Sequence, residues 1–431
     1  MLSRRNFLKV MGYTAAAGAV TTDKSPFIKA ASAQSKPDEK KIRSACRNCY
    51  GRCGIDGTVR NGRVVKIEGV EELFSEGTLC SRAFAIPQLM YNPLRIQYPM
   101  ERAGARGEGK WKRVSWDYAL DRIAKEFKKI IDTYGSGALI HQYGTGRDMS
   151  MFNVMNRLFN ELGSTNTFGV GNLCWLGSYM TSRRIYGDET QYTGWDGNNA
   201  KCIILWSRQE RSRGYYDWLT IERAQARGVK IIAVDPRYTT TASKADLWLP
   251  VRPGSDMALV LAFLNQIIAS NKYDKEFVKK WTNGPFLVKE DGFILRESDL
   301  VSGGNADKFA YYDEKSKSVR YWDGKALEWD STDAEPAILG AHKAGGKTYK
   351  TALQLFVDSV KEWTPKTASE LTWVPEKKCK EAAKLYIDNS PGAAFARGQK
   401  VEFSINTSGI AQAFTIMMAL AGNFDVKGGQ N

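Results

Sequence analysis

Four of the seven cysteines crowd into one region: Cys46, Cys49 and Cys53 in the run Cys-Arg-Asn-Cys-Tyr-Gly-Arg-Cys, with Cys80 beyond it. Thiolates this close in sequence can converge on one soft metal centre. A structural zinc site needs four thiolates and usually pairs its Cys-x2-Cys units. A [4Fe–4S] cluster also needs four, and here three come from one loop with a distant fourth. The uneven spacing points to the cluster, with zinc and a disulfide framework as the competing readings. Arg82, two residues past the fourth cysteine, would offset the charge of a thiolate-bound cluster. On its own it reads better as a solvated arginine.

A second set of residues suits phosphates and a purine base. The run Ser207-Arg208-Gln209-Glu210-Arg211-Ser212-Arg213-Gly214 follows an apolar strand. It supplies hydroxyls, an amide, cations and a helix start where a phosphate would bind, or else forms an exposed basic loop. Asp235-Pro236-Arg237 ends the next strand. A carboxylate there can take ribose hydroxyls or the N1–H and N2–H edge of guanine. In Arg252-Pro253-Gly254-Ser255-Asp256, a Pro-Gly turn leads to Asp256, a plausible helix N-cap and a second carboxylate for a base edge. The G-x-G-x-x-G fingerprint is absent, which speaks against a nicotinamide site.

The elements that must position these residues follow from periodicity. The run from Gly57 to Glu68 alternates around Asn61-Gly62, a hairpin signal that seats the cysteine loop on a small antiparallel unit. Residues 35–41 read as a polar linker. Ser115 caps a predicted helix whose Leu120, Ile123, Phe127, Ile130 and Ile131 share one face, and Gly135 ends it. Strands are predicted at 138–143, 201–206 and 229–234, and helices at 149–162 and 215–226. This alternation reads as βαβ units of a parallel sheet. Further helices are predicted at 256–270, 273–281, 349–362, 375–389 and 406–422. The stretch 284–346, rich in Gly, Asp, Lys and aromatics, reads as an inserted set of surface hairpins.

The whole chain sets outer bounds. Its 431 residues allow two or three domains. A net charge of +15 suits anionic partners. No arginine-rich arm or RNA-binding signature is present, so nucleic acid is not expected. Two histidines, His141 and His342, are too few for a His-rich metal site. At the N-terminus, Arg4-Arg5-Asn6-Phe7-Leu8-Lys9, an apolar run from Val10 to Val20 and Ala31-Ser32-Ala33 match a twin-arginine export signal, with Gln34 as the new N-terminus. The apolar run is too short to span a bilayer.

Together these residues carry a resemblance. From about residue 42 to 431, the chain resembles the catalytic subunits of the molybdopterin oxidoreductases of the dimethyl sulfoxide reductase type. The carriers are Cys46, Cys49, Cys53 and Cys80, the turn Val234 to Arg237, and the segment from Ala245-Asp246 to Arg252-Pro253-Gly254-Ser255-Asp256. The resemblance implies an α/β chain: a small antiparallel Fe–S domain followed by two parallel-sheet α/β domains, one inserted in the other. The expected bounds are a signal peptide over 1–33, the Fe–S domain over 42–100 and one α/β domain from 101–170 with 390–431. A dinucleotide-binding domain would span 171–389, with the hairpin insertion at 284–346.

The resemblance also implies the cofactors, a [4Fe–4S] cluster and a bis-molybdopterin guanine dinucleotide carrying molybdenum or tungsten. The four clustered cysteines would hold the first, with Arg82 as the relay toward the pterin. Ser207, Arg208, Gln209, Asp235, Pro236, Arg237, Arg252, Gly254 and Asp256 would contact one dinucleotide, and Arg397 and Lys400 the other. Where the family usually has a Gly-x-Asn-Pro-like turn, this chain has Ser207-Arg208-Gln209-Glu210. Cys174, bare of context, reads as buried packing, but its position matches the family's metal ligand. Cys202 and Cys379 read as core residues. Trp175 stands where formate dehydrogenases place histidine.

The implied activity is oxygen- or sulfur-atom transfer on a small anionic substrate, such as polysulfide, thiosulfate, arsenate or nitrate. A ferredoxin-like electron-transfer subunit and a membrane quinone subunit are the implied partners. A non-redox hydratase on the same scaffold and a non-catalytic Fe–S protein are the alternatives. The family's C-terminal β-barrel domain would follow Gly428-Gly429-Gln430-Asn431.

Overall fold

The computed structural model describes residues 38–431, apart from 50, 145–148, 175, 188–193, 399–400, 402, 405 and 431. The export-signal expectation and Lys400 lie outside the described residues. The chain divides into two compact units, one of Met1–Asn48 with Arg52–Arg95, the other of Cys49–Gly51 with Ile96–Asn431.

The first unit is built on three antiparallel strands, β1 (Glu39–Ala45), β2 (Gly54–Arg60) and β3 (Arg63–Gly69), in the order β1-β2-β3. Asn61 and Gly62 join β2 to β3 with φ of 49° and 74°. Both central residues therefore occupy the left-handed region that a two-residue hairpin demands, and Asn-Gly supplies it at least strain. β1 takes up the last three residues of the expected linker, 39–41. Its seven residues are all exposed, so no apolar alternation marks it, and it is held through backbone pairing with β2.

In the second unit, helix α1 (Trp116–Tyr134) starts at Ser115, whose hydroxyl accepts from the Tyr118 N–H. It ends at Gly135, with φ of 81°. Strand β4 (His141–Tyr143) is shorter than expected, because Ser136–Ala138 winds into a 3-10 turn. After helix α2 (Met149–Glu161), β4 pairs in parallel with β5 (Thr167–Gly169). Two short helices follow, α3 (Gly171–Cys174) and α4 (Leu176–Tyr186).

The central sheet is parallel. Strand β6 (Cys202–Trp206) leads through helix α5 (Tyr215–Ala226) to β7 (Lys230–Val234), β8 (Leu247–Leu249) and helix α6 (Asp256–Ser270). Helix α7 (Glu376–Asp388) precedes β9 (Ala393–Arg397), and helix α8 (Thr407–Leu420) follows it. The strand order is β8-β7-β6-β9, every pair parallel. All five residues of β6 are buried, as a strand covered on both faces requires. Side chains alternate across a strand. Cys202, Ile204 and Trp206 therefore enter a core with α6, α7 and α8, while Ile203 and Leu205 enter a second core with Trp218 and Ile221 of α5.

The pairing of β9 with β6 places residues 393–397 in the sheet of residues 202–249, whereas the resemblance implies a domain of 101–170 with 390–431. No local pattern encodes a partner so distant in the chain. The outer edge of β9 is occupied by a side chain. The Gln430 amide accepts from the Phe395 N–H at 3.2 Å and donates to the Phe395 carbonyl at 2.8 Å, which blunts an edge that would otherwise pair with another chain.

The hairpin insertion forms two three-stranded sheets. One pairs Lys308–Asp313, Ser318–Asp323 and Glu328–Trp329, and the other pairs Leu287–Val288, Lys347–Thr351 and Ala341–Ala344. Among the described residues, no helix is long and apolar enough to cross a membrane.

Candidate cofactor site

Within the first unit, the Cys46 N–H donates to the Cys53 carbonyl at 2.8 Å, closing the cysteine loop. Cys46 is buried among Ile55, Ile67, Leu79 and Ala83, with Cys53 packed beside it. Cys80 immediately precedes the short helix Ser81–Phe84. Burial pushes its thiol up, but the backbone N–H groups of Ala83 and Arg82 and the Arg82 guanidinium outweigh it. The thiol therefore sits below its ordinary range. Asn48 ties the loop to this helix, its amide donating to the Arg82 carbonyl at 3.0 Å. Cys49 is half-buried and belongs to the second unit.

Among the described residues, no cysteine is joined in a disulfide. Four thiols, one of them biased toward thiolate, suit a cluster in number and in softness. Among the described residues, no three metal-ligating side chains are already gathered about one point.

The residues proposed for phosphates and guanine gather on one edge of the second unit. Trp206 is level with Val234 and with Arg397, and Val234 with Leu249. The carboxyl ends of four parallel strands therefore stand side by side. Ser207, Arg208 and Gln209 leave β6. Asp235, Pro236 and Arg237 leave β7, and Arg252, Gly254 and Asp256 follow β8. Arg397 is the last residue of β9. The chain runs from β6 to β7 on one side, while β9 flanks β6 on the other. This places the switch point, where open α/β sheets bind ligands, between β6 and β9.

A cavity of about 170 Å³ opens there, lined by Arg208 and Arg397, the hydroxyls of Ser178 and Thr181 from α4, and Trp195. It is smaller than sites that enclose whole cofactors, and is sized for part of one. Arg397 donates to the Ser178 hydroxyl at 2.6 Å. Arg208 is anchored to Glu210, which is 1% exposed, and to Asp217 at 3.3 Å. Gln209 accepts from Thr241 at 2.9 Å, fixing the loop against the next strand's turn.

The two carboxylates are also held. Asp235 is buried and accepts from the Arg237 N–H at 2.8 Å, forming the turn that Pro236 begins. Asp256 is buried and accepts from the Trp206 indole N–H at 2.7 Å. Burial pushes its carboxyl above the ordinary range, and the indole works in the opposite direction. Asp256 is not the N-cap expected from sequence. Ser255 holds that position, with its hydroxyl turned to the Arg252 carbonyl at 2.7 Å, and Asp256 is the first helical residue. Pro236, Arg237, Arg252 and Gly254 are exposed, and Gly254 supplies the turn with φ of 83°.

Cys174 is buried at the end of α3 rather than in a loop, and its N–H donates to the Val170 carbonyl at 2.8 Å. Four residues on, Ser178 reaches the cavity. Helix α4 packs closely on α8, where a Cβ at Gly177 would meet Thr407 Cγ2 at 2.6 Å. Cys202 and Cys379 lie in the core, each thiol pushed by burial up to about 12. Sequence reasoning did not single out Ser178, Trp206 or Gly398. The small pair Gly177-Ser178 after Cys174 was the one available signal, since the other two act through neighbours distant in sequence.

Cations for a diphosphate and carboxylates for a guanine edge make a donor set that fits a guanine dinucleotide. Comparison with known proteins agrees. The molybdopterin oxidoreductase family model matches residues 95–431, and the molybdopterin oxidoreductase Fe4S4 domain model matches residues 39–92. Dopamine dehydroxylase from Eggerthella lenta is 28% identical, over 99% of this chain and 51% of its own. A dimethyl sulfoxide reductase from Escherichia coli is 33% identical, over 66% of this chain and 38% of its own. The structure of acetylene hydratase from Pelobacter acetylenicus superposes with a TM-score of 0.63 at 24% identity, over 90% of this chain and 44% of that one, a likeness of fold. The chain spans about half the length of the curated relatives it matches. With its Fe4S4 and molybdopterin domains, the chain belongs to the molybdopterin oxidoreductase family of the dimethyl sulfoxide reductase type, and its cofactors are a [4Fe–4S] cluster and a molybdopterin.

Proposed function

We propose that the chain is the catalytic part of an exported molybdenum- or tungsten-dependent oxidoreductase. It would transfer an oxygen or sulfur atom to or from a small anionic substrate, such as polysulfide, thiosulfate, arsenate or nitrate, in anaerobic respiration. The observation that supports this best is the single carboxyl edge carrying Arg208, Asp235, Asp256 and Arg397, with a cavity at its switch point.

In this reading, Cys46, Cys49, Cys53 and Cys80 hold the cluster, and Arg82 provides positive charge on the electron's route. The bis-molybdopterin guanine dinucleotide, when bound, supplies the atom-transfer chemistry. Ser207, Arg208, Gln209, Arg237, Arg252, Arg397 and Lys400 bind its phosphates. Asp235 and Asp256 take guanine, while Pro236 and Gly254 shape the turns. Cys174 offers its thiolate to the metal, in a buried position that keeps water away. Electrons come from a ferredoxin-like subunit linked to a membrane quinone subunit. The Arg4-Arg5 signal supports export after the cofactors are loaded.

The test is oxidation of a reduced dye by the loaded enzyme against a panel of these oxyanions and polysulfide. Substrate-dependent dye oxidation that Cys174→Ala abolishes is the expected result. Hydration of an unsaturated substrate with no dye turnover would favour a hydratase instead.

A further inference from the structure

The tie between Trp206 and Asp256 joins the end of β6 to the start of α6. Trp206 is 0% exposed and packed edge-on against Phe263, Phe395 and Phe414. Its ring therefore has no freedom to follow the carboxylate, and the carboxylate must follow the ring. An indole N–H can only donate. It therefore fixes Oδ1 as an acceptor, and the residue's own backbone N–H adds a second donor to the carboxylate. Guanine presents two donors, N1–H and N2–H, where adenine presents an acceptor at N1. A carboxylate facing that edge must stay an acceptor to select guanine. Burial works against this by favouring the protonated form, and the indole opposes burial. A phenyl ring would fill much of the same space without the donor.

Resting on the reading that Asp256 takes the guanine edge, we propose that Trp206 is the positioning residue for that contact: its indole N–H, locked in the aromatic core, aims the Asp256 carboxylate and holds it as an acceptor. Trp206 touches no ligand itself. It confers selectivity for guanine over adenine through Asp256.

The experiment measures GDP and ADP binding calorimetrically to the full chain, produced in a host that makes no molybdopterin. The proteins are wild type, Trp206→Phe, Asp256→Asn and the double variant. In a further protein, position 206 carries benzothienylalanine, which keeps the bicyclic shape and replaces only the N–H. This isosteric form keeps the test open should Trp206→Phe fail to fold. The expected result is that wild type prefers GDP and that Asp256→Asn abolishes the preference. Both substitutions at 206 should weaken GDP about tenfold, the loss of one hydrogen bond to a charged group, and leave ADP unchanged. Adding Trp206→Phe to Asp256→Asn should cost nothing further. A merely structural role would lower stability and affect both nucleotides alike. If Asp256→Asn weakens GDP while both variants at 206 bind it as wild type does, the role of Trp206 is overturned and that of Asp256 stands. If wild type shows no preference for GDP, or Asp256→Asn leaves it intact, the guanine reading of Asp256 falls and this inference with it.

Discussion

The carbonyl oxygen of Ser207 stands 2.0 Å from where a Cβ at Gly398 would lie. The two backbones leave β6 and β9 together, and the Gly398 N–H donates to the Trp206 carbonyl at 2.7 Å. This contact draws Arg208 and Arg397 to the same cavity. Backbone cannot swing aside as a flexible side chain can, so Gly398→Ala must push the strands apart. The expected cost is about 1–3 kcal/mol of stability, read by urea unfolding, together with loss of bound GMP from the purified protein. An alanine variant with wild-type stability and GMP content would show that the close approach is not required.

Arg208 is held by Glu210 and Asp217, and the Glu210 side chain is almost wholly buried. Arg208→Gln takes the cation from a buried carboxylate, a change that typically costs about 3–5 kcal/mol. Arg252 is exposed, and Arg252→Gln should change stability by less than about 0.5 kcal/mol. Thermal unfolding of both variants without cofactor separates the two roles. Equal effects would mean that the buried pair contributes little to the fold.

The thiols divide by environment. In apoprotein the depressed Cys80 thiol should react with iodoacetamide at neutral pH, because the thiolate is the nucleophile. Cys202 and Cys379, pushed up to about 12 by burial, should be labelled only after unfolding. The same shift has a pH consequence. In the fold both remain protonated, whereas in the unfolded chain they ionise near the ordinary thiol value of 9.0. Their contribution to stability is therefore complete below pH 9 and is lost as pH rises from 9 toward 12. Peptide mapping of the labelled sites and unfolding between pH 8 and 11 check both statements. Early labelling of Cys202 would contradict them.

Iron content should follow the same division. Cys80→Ala should lower iron and labile sulfide, whereas Cys202→Ala and Cys379→Ala should leave both unchanged per folded chain. Iron that survives Cys80→Ala intact would remove Cys80 from the ligand set.

Legibility from sequence tracked burial. The apolar run Cys202–Trp206 announced a strand covered on both faces, and the Ser115 cap and Gly135 stop framed α1 to the residue. The start of β1, residues 39–41, reads as linker because an exposed strand carries no apolar alternation. The partner of β9 was invisible, since pairing between residues 202 and 393 is a tertiary fact. At the site, the turn residues and carboxylates were legible because special turns need Pro, Gly and Asp. Their orientation was not. Asp256 looked like a cap, and only the packed structure shows the indole of Trp206 holding it.

The central claim is that one chain carries both an iron–sulfur cluster and a pterin dinucleotide. The most direct measurement is elemental and nucleotide analysis of the purified protein from anaerobically grown cells. The predicted result is iron and labile sulfide in equal amounts, together with molybdenum or tungsten and with GMP released on acid hydrolysis. Iron and sulfide without molybdenum, tungsten or GMP would contradict the account and leave an electron-transfer protein in its place.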